Sequence, residues 1–208
     1  MKLLKDLLYK VDLKQIVGST NFAIPHVCFD SHDVQKDSLF VAVKGSQSNG
    51  HLFIEKAISF GALAIICEDL PSDLNPDVVY ISVSDSSIAL GIVASNFYDN
   101  PSEEIKLVGV TGTNGKTTVV TLLYNLFQAL GQKSGLLSTV IYKVGSMSIP
   151  ATHTTPDAIR LNAMLKEMID EGCKYCFMEV SSHAIDQGRI VGLDFDIALF
   201  TNISRDHL

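Results

Sequence analysis

The stretch Gly109-Val110-Thr111-Gly112-Thr113-Asn114-Gly115-Lys116-Thr117-Thr118 constrains the fold of this chain more than any other. An apolar run, Lys106–Val110, precedes it, and residues at helical spacing, Thr117–Leu130, follow it, closed by Gly131. A glycine-rich loop between a strand and a helix lets backbone N–H groups turn inward around an anion, and the helix N-terminus adds partial positive charge. Lys116 is placed to reach terminal phosphates and the Thr117 hydroxyl to ligate Mg²⁺. The usual spacing puts glycine at position 110; here Val110 stands there, and the first glycine of the loop is read one residue earlier, at Gly109.

A strand–loop–helix unit of this kind belongs to an α/β fold, and the remaining pattern agrees. Leu39–Val43 reads as a strand, His51–Phe60 as a helix stopped by Gly61, Ala62–Cys67 and Val78–Val83 as strands, and Ser86–Tyr98 as a helix. The polar, proline-bearing stretch Asp99–Glu104 marks a domain boundary, giving a first domain over 1–102 and a second over 103–208. In the second, Ser134–Val140 reads as a strand, Asp157–Glu171 as a helix behind Thr154-Thr155-Pro156, and Tyr175–Val180 and Asp196–Thr201 as further strands. The expectation is a small N-terminal α/β domain followed by a truncated P-loop α/β domain with a mostly parallel sheet. The polar segment Asn202–Leu208 comes directly after a strand, where open α/β sheets carry function, so the sequence is expected to stop inside a site.

With 208 residues and 47% hydrophobic content the chain can bury a large core or two small ones. A net charge of -7 argues against a nucleic-acid partner, which needs a basic face. The charged N-terminus does not form a signal-peptide core, and no apolar run is long enough to span a bilayer. A cytoplasmic protein with no membrane or nucleic-acid partner is expected. Cys28, Cys67, Cys173 and Cys176 are expected as free thiols; Cys173 and Cys176 form a Cys-x-x-Cys, but one pair is only half a structural zinc site.

Several residues outside the loop carry chemistry. Glu179 ends an apolar strand, in Phe177-Met178-Glu179-Val180-Ser181-Ser182-His183, and suits either Mg²⁺ or an ion pair; adjacency to the phosphate loop across a parallel sheet favours the metal. His183 and His207 lie beyond strand ends, where histidine can bind metal, donate to phosphate or cap local structure. His26, His32 and His51 are read as structural. Arg189 can grip a carboxylate or phosphate, or sit solvated in its loop.

Together the phosphate loop, Thr154-Thr155-Pro156, Glu179-Val180-Ser181-Ser182-His183-Ala184 and Thr201-Asn202-Ile203-Ser204-Arg205-Asp206-His207-Leu208 resemble the Mur ligases of peptidoglycan synthesis, in order and spacing. Within that family they look most like the branch that adds the third stem-peptide residue. Phe29-Asp30-Ser31, Asp37–Gly45, Asn49-Gly50-His51 and Gly61-Ala62 resemble its uridine-nucleotide domain. The likeness runs through essentially the whole chain, with two departures: His32 replaces an arginine, which loses a permanent charge, and Asn49 replaces an aspartate.

The resemblance implies an ATP- and Mg²⁺-dependent amide ligase acting on UDP-N-acetylmuramoyl-L-alanyl-D-glutamate through an acyl phosphate, with diaminopimelate or lysine as the incoming amino acid. It implies substrate contacts from Phe29, Ser31 and the Ser46-Gln47-Ser48 loop, and from His153, Thr154, Thr155, Ser181, Gln187 and Arg189. Gly112, Thr113, Asn114, Gly115, Lys116, Thr117 and Thr118 would hold ATP, while Thr117, Glu179 and His207 would hold Mg²⁺. Lys116, Glu179 and His207 would form the catalytic set, in a monomer. The family's carbamylated lysine and amino-acid-binding C-terminal domain fall outside these residues, so the fragment alone is expected to bind but not turn over. Two other readings stand beside this one: the D-alanyl-D-alanine-adding or folylpolyglutamate-type relatives, and a non-catalytic nucleotide-binding module. The uridine-domain pattern disfavours the folate enzyme, and retention of Lys116, Glu179 and His207 disfavours the module.

Overall fold

A computed structural model describes residues 1–45 and 48–204. The chain forms two compact units, Met1–Phe97 and Tyr98–Leu208.

In the first unit, β1 (Lys2–Leu3) runs into a short helix α1 (Leu4–Leu7), followed by β2 (Leu13–Val17), β3 (Ala23–Ile24), β4 (Val27–Cys28) and β5 (Ser38–Val41). A 3₁₀ turn, Gly50–Phe53, leads into α2 (Ile54–Ser59), then β6 (Ala62–Cys67), β7 (Val79–Val83) and α3 (Ser86–Phe97). The main sheet has the order β2-β7-β6-β5-β4, with β2 antiparallel to β7 and the other pairs parallel. Every residue of β5 and of β7 is buried, as expected for parallel strands covered on both faces, and this is why they read as unbroken apolar runs. The edge strand β2 is exposed over most of its length and carries no such signal. The helix expected over His51–Phe60 begins as 3₁₀, because Asn49 caps it by accepting the His51 N–H at 3.1 Å and the first turn stays tight.

The second unit opens with a 3₁₀ turn at Pro101–Glu103, behind Asp99 and Asn100 in left-handed backbone (φ 65° and 52°). Then come β8 (Lys106–Thr111), α4 (Lys116–Ala129), β9 (Ser134–Leu137), β10 (Ile141–Val144), β11 (Met147–Pro150), α5 (Ala158–Asp170), β12 (Tyr175–Glu179), α6 (Ser182–Asp186) and β13 (Ile197–Phe200). The sheet order is β11-β10-β9-β12-β8-β13, parallel from β9 to β13 and antiparallel at β9–β10 and β10–β11. The strand expected to reach Val140 stops at Leu137 because the Ser138 hydroxyl accepts from the Val140 and Ile141 N–H groups (3.3 and 3.1 Å) and turns the chain back.

Alternation along β12 builds two cores. Cys176, Met178 and Val180 face Leu161, Met164, Leu165 and Met168 of α5. Tyr175 and Phe177 face α4, where the Phe127 ring meets them edge-on with centroids 4.6 and 5.0 Å away. The four cysteines are buried free thiols, and burial raises those of Cys28 and Cys67 to about 12 and about 11.

Candidate active site around the phosphate loop

The carboxyl ends of β8, β12 and β13 bring the candidate residues of the second unit together. Gly109 and Val110 lie within β8, so the glycine taken from sequence as the start of the loop is a strand residue. A Cβ there would come within 2.7 Å of the Phe195 ring, so Gly109 serves packing. The turn itself is made at Gly112, with φ +129°, where a Cβ would stand 2.2 Å from the Thr201 hydroxyl. Helix α4 starts at Lys116 behind Gly115.

The segment after β13 braces this loop. Thr113 N–H donates to Asn202 O at 2.9 Å and Asn114 N–H to Asn202 Oδ1 at 3.1 Å. Asn202 Nδ2 and the Thr201 hydroxyl both donate to Asn114 O, at 3.1 and 2.8 Å. The Lys116 ammonium donates to Gly112 O at 2.6 Å and Thr113 O at 3.0 Å, which holds the positive charge over the loop. Thr117 is half-buried and Thr118 exposed on the first turn.

Glu179 lies opposite Val110 in the β8–β12 register, beside the strand that feeds the loop. It is buried, and its carboxylate accepts the Thr139 N–H on Oε1 at 2.8 Å and the Thr139 hydroxyl on Oε2 at 3.1 Å. Around it, Thr155 donates its hydroxyl to Glu179 O at 2.9 Å and accepts the Ser181 N–H at 3.2 Å. Arg189 donates Nη1 to Thr155 O at 2.8 Å and both Nε and Nη2 to Gln187 Oε1, at 3.0 and 2.6 Å. The Tyr142 hydroxyl donates to His153 O, and Thr154 and Thr139 hydroxyls lie 3.3 Å apart. Thr154, Thr155, Ser181, Gln187 and Arg189 are therefore joined by hydrogen bonds around Glu179, and His153, next to Thr154 in the chain, has its backbone held by Tyr142. The Arg189 guanidinium is anchored rather than loosely solvated. His183 is exposed on α6.

In the first unit, Ser31 is buried and Phe29 and Ser48 are exposed, the last with its carbonyl accepting the Gly45 N–H at 2.9 Å. Asp30 accepts the His32 N–H (2.9 Å) and approaches its Nδ1 (2.8 Å), and these hydrogen bonds hold the Asp30 carboxyl below its usual range. His51 Nε2 accepts the Glu68 N–H at 2.9 Å, which fixes Nδ1 as the protonated nitrogen facing Asn49 Oδ1 at 3.0 Å. Asn49 Oδ1 can accept that hydrogen bond as a neutral amide, without the charge assistance a carboxylate would give. Ser46, Gln47 and His207 lie outside the described residues.

The model of the Mur ligase family catalytic domain matches residues 23–98, and that of the Mur ligase middle domain matches residues 110–208. A UDP-N-acetylmuramoyl-L-alanyl-D-glutamate–2,6-diaminopimelate ligase from Cytophaga hutchinsonii is 56% identical over 206 residues, 99% of this chain. This chain belongs to the Mur ligase family. It spans 42% of the length of that relative. A solved structure of a UDP-N-acetylmuramoyl-L-alanyl-D-glutamate–2,6-diaminopimelate ligase superposes on 89% of the chain and 37% of its own, with TM-score 0.75 and 28% identity. The MurF ligase from Thermotoga maritima in complex with ADP matches with TM-score 0.56 and 26% identity, over 88% of this chain and 38% of its own.

For this Mur ligase chain the donor set can be tested against the Mg²⁺-nucleotide the family implies. Among the described residues no group of three or more His, Cys, Asp or Glu could form an all-protein metal cage. Mg²⁺ with a nucleotide does not need one: it takes one or two carboxylates, a loop hydroxyl and phosphate oxygens, and retains water. A buried Glu179 beside the loop, and Thr117 on the first turn of α4, fit that demand. Sequence reasoning missed Thr139, Tyr142, Thr201 and Asn202 as parts of this site. Thr201 and Asn202 fall in a stretch that resembles the family and so had a signal; Thr139 and Tyr142 had none, since a hydroxyl in a turn or on a strand has no distinguishing pattern. Among the described residues no helix is long and apolar enough to cross a membrane.

Proposed function

We propose that this chain supplies the substrate- and nucleotide-binding parts of an ATP-dependent ligase that joins diaminopimelate to UDP-N-acetylmuramoyl-L-alanyl-D-glutamate. The observation that carries the reading is the placement of buried Glu179 in register beside the strand feeding a glycine-rich loop, with Lys116 and Thr117 opening the helix beyond it. The names of the relatives support the choice of substrates, diaminopimelate over lysine included.

Residues 1–102 form the UDP-substrate domain in this reading, with Phe29, Ser31 and the Ser46–Ser48 loop at the nucleotide. Residues 103–208 form the first part of the ATP domain. Mg·ATP, when bound, would give its γ-phosphoryl group to the substrate carboxylate with release of ADP, and attack of the incoming amine on the acyl carbon would form the amide and expel phosphate. The protein's share is positioning and electrostatics. Loop amides and Lys116 would hold the phosphates; Glu179, Thr117 and His207 would hold the metal; Thr155, Ser181, Gln187 and Arg189 would orient the substrate. Arg189 and Gln187 are pre-set by their mutual hydrogen bonds, which lowers the ordering cost of binding. The protein works in the cytoplasm as a monomer, with no membrane or nucleic-acid partner.

Calorimetric titration with UDP-N-acetylmuramoyl-L-alanyl-D-glutamate, and separately with Mg·ATP, tests the reading. Ser31→Ala should weaken the first ligand and Lys116→Ala the second, each by about tenfold or more, the scale of one lost charge-assisted or buried hydrogen bond. Binding of Mg·ATP with no binding of the UDP substrate would leave a nucleotide module and overturn the ligase assignment.

A further inference from the structure

Glu179 is 1% exposed, and among the described residues a single residue donates to its carboxylate. Thr139 reaches Oε1 with its N–H (2.8 Å) and Oε2 with its hydroxyl (3.1 Å). An ionised carboxylate only accepts, and a hydroxyl has one proton to give. With its proton given to Glu179, the Thr139 oxygen is left as an acceptor for the Thr154 hydroxyl, whose oxygen lies 3.3 Å away. The terminal torsion of a glutamate is broad when unsupported, so a two-point grip on both oxygens fixes the carboxylate plane.

The turn between β9 and β10 does not need this hydroxyl. Ser138 already closes it, accepting from Val140 and Ile141 N–H and donating to Ile141 O at 2.9 Å. Removing the Thr139 hydroxyl leaves those bonds in place, whereas the carboxylate loses one of its two donors.

We infer that Thr139 is a positioning residue, which sets the carboxylate plane of Glu179 for a divalent cation held against nucleotide phosphates and joins that carboxylate, through Thr154, to the substrate side of the site. The inference rests on the reading that the phosphate loop and Glu179 together hold a metal–nucleotide complex. Residues that orient a metal ligand without touching the metal commonly change metal affinity by about 10–100-fold.

Mn²⁺ is the probe, titrated by electron paramagnetic resonance into the chain with saturating ADP, while ADP affinity without metal is measured in parallel. Thr139→Val should raise the Mn²⁺ dissociation constant by about tenfold or more and leave metal-free ADP affinity unchanged. Thr139→Ser, which keeps the hydroxyl, should stay within about twofold of wild type. If Thr139→Val does not fold, Thr139→Ala carries the same expectation. A valine or alanine variant with wild-type Mn²⁺ affinity sinks the inference, as does an equal loss of metal-free ADP binding, which would mark a structural role. Absence of ADP-dependent Mn²⁺ binding in the wild type would bring down the metal–nucleotide reading itself, and this inference with it.

Discussion

Two glutamates stand at the carboxyl ends of central parallel strands, one in each unit, and both are gripped by the N–H and hydroxyl of one residue. Glu68 follows β6 and accepts the Ser86 N–H at 3.1 Å and the Ser86 hydroxyl at 2.8 Å; Glu179 ends β12 and accepts the same pair of groups from Thr139. They differ in charge balance. The Lys44 ammonium lies 3.0 Å from Glu68, while no basic side chain pairs with Glu179 among the described residues. Burial works against the Glu68 charge, but the Ser86 bonds and Lys44 outweigh it and bring its pKa down to about 2. A carboxylate neutralised where it stands is a structural brace. One that is buried and oriented, with no basic partner among the described residues, suits the metal–nucleotide role proposed for Glu179.

The largest expected effect comes from exchanging each carboxylate for its amide. Glu179→Gln should weaken ADP-dependent Mn²⁺ binding by about 100-fold, because ligand charge dominates affinity for a hard cation, and should leave thermal stability equal or higher. Glu68→Gln should leave Mn²⁺ binding untouched and lower stability by about 1 kcal/mol, the scale of a partly exposed ion pair with its hydrogen bonds. Paired metal titrations and urea unfolding check both. The contrast breaks if Glu179→Gln is the more destabilised variant and binds metal as wild type does.

A smaller effect tests how the Glu179 corner is assembled. The buried Thr155 hydroxyl joins Glu179 O to the Ser181 N–H, so Thr155→Val leaves a donor and an acceptor unmatched. The expected loss is about 1–3 kcal/mol in urea unfolding. Thr155→Ser should recover most of it; a valine variant of wild-type stability would show that water or a shifted backbone satisfies both groups.

These corners also separate what the sequence reveals from what it hides. The phosphate loop was legible because its chemistry is local: glycines, a lysine and a helix start follow one another, and only the first glycine was misread, Gly109 belonging to β8. The inner parallel strands, such as β5 and β7, were legible because burial on both faces leaves unbroken apolar runs. The β10–β11 hairpin was not, since residues such as Lys143 and Ser148 interrupt its apolar pattern and its register is set by the tight turn between Val144 and Met147. Glu179 could be picked out as a carboxylate on an apolar strand. Its partner could not, because Thr139 is forty residues away and meets it only once β9 and β12 pair in register.

The smallest expected effect is the acid response of the first unit. Glu68 has a folded pKa near 2 against an ordinary 4.5. A depressed carboxylate contributes stability that is complete above the unfolded value and is lost as pH falls through the folded one, so its share should fade between about pH 4.5 and 2. Asp69 is lowered by its hydrogen bond from Lys44 and Asp196 by that from Lys106, so the acid limb of the wild-type curve contains more than Glu68. His51, whose pKa burial and then Lys44 depress, must stay neutral to accept the Glu68 N–H, and it contributes separately below pH 6.5. Subtracting the melting-temperature profile of Glu68→Gln from that of wild type isolates the glutamate. The difference should be flat above about pH 5 and shrink towards zero near pH 2. A difference that instead grows in acid would mean that Glu68 is not held ionised by Ser86 and Lys44, and the contrast with Glu179 would lose its basis in charge balance.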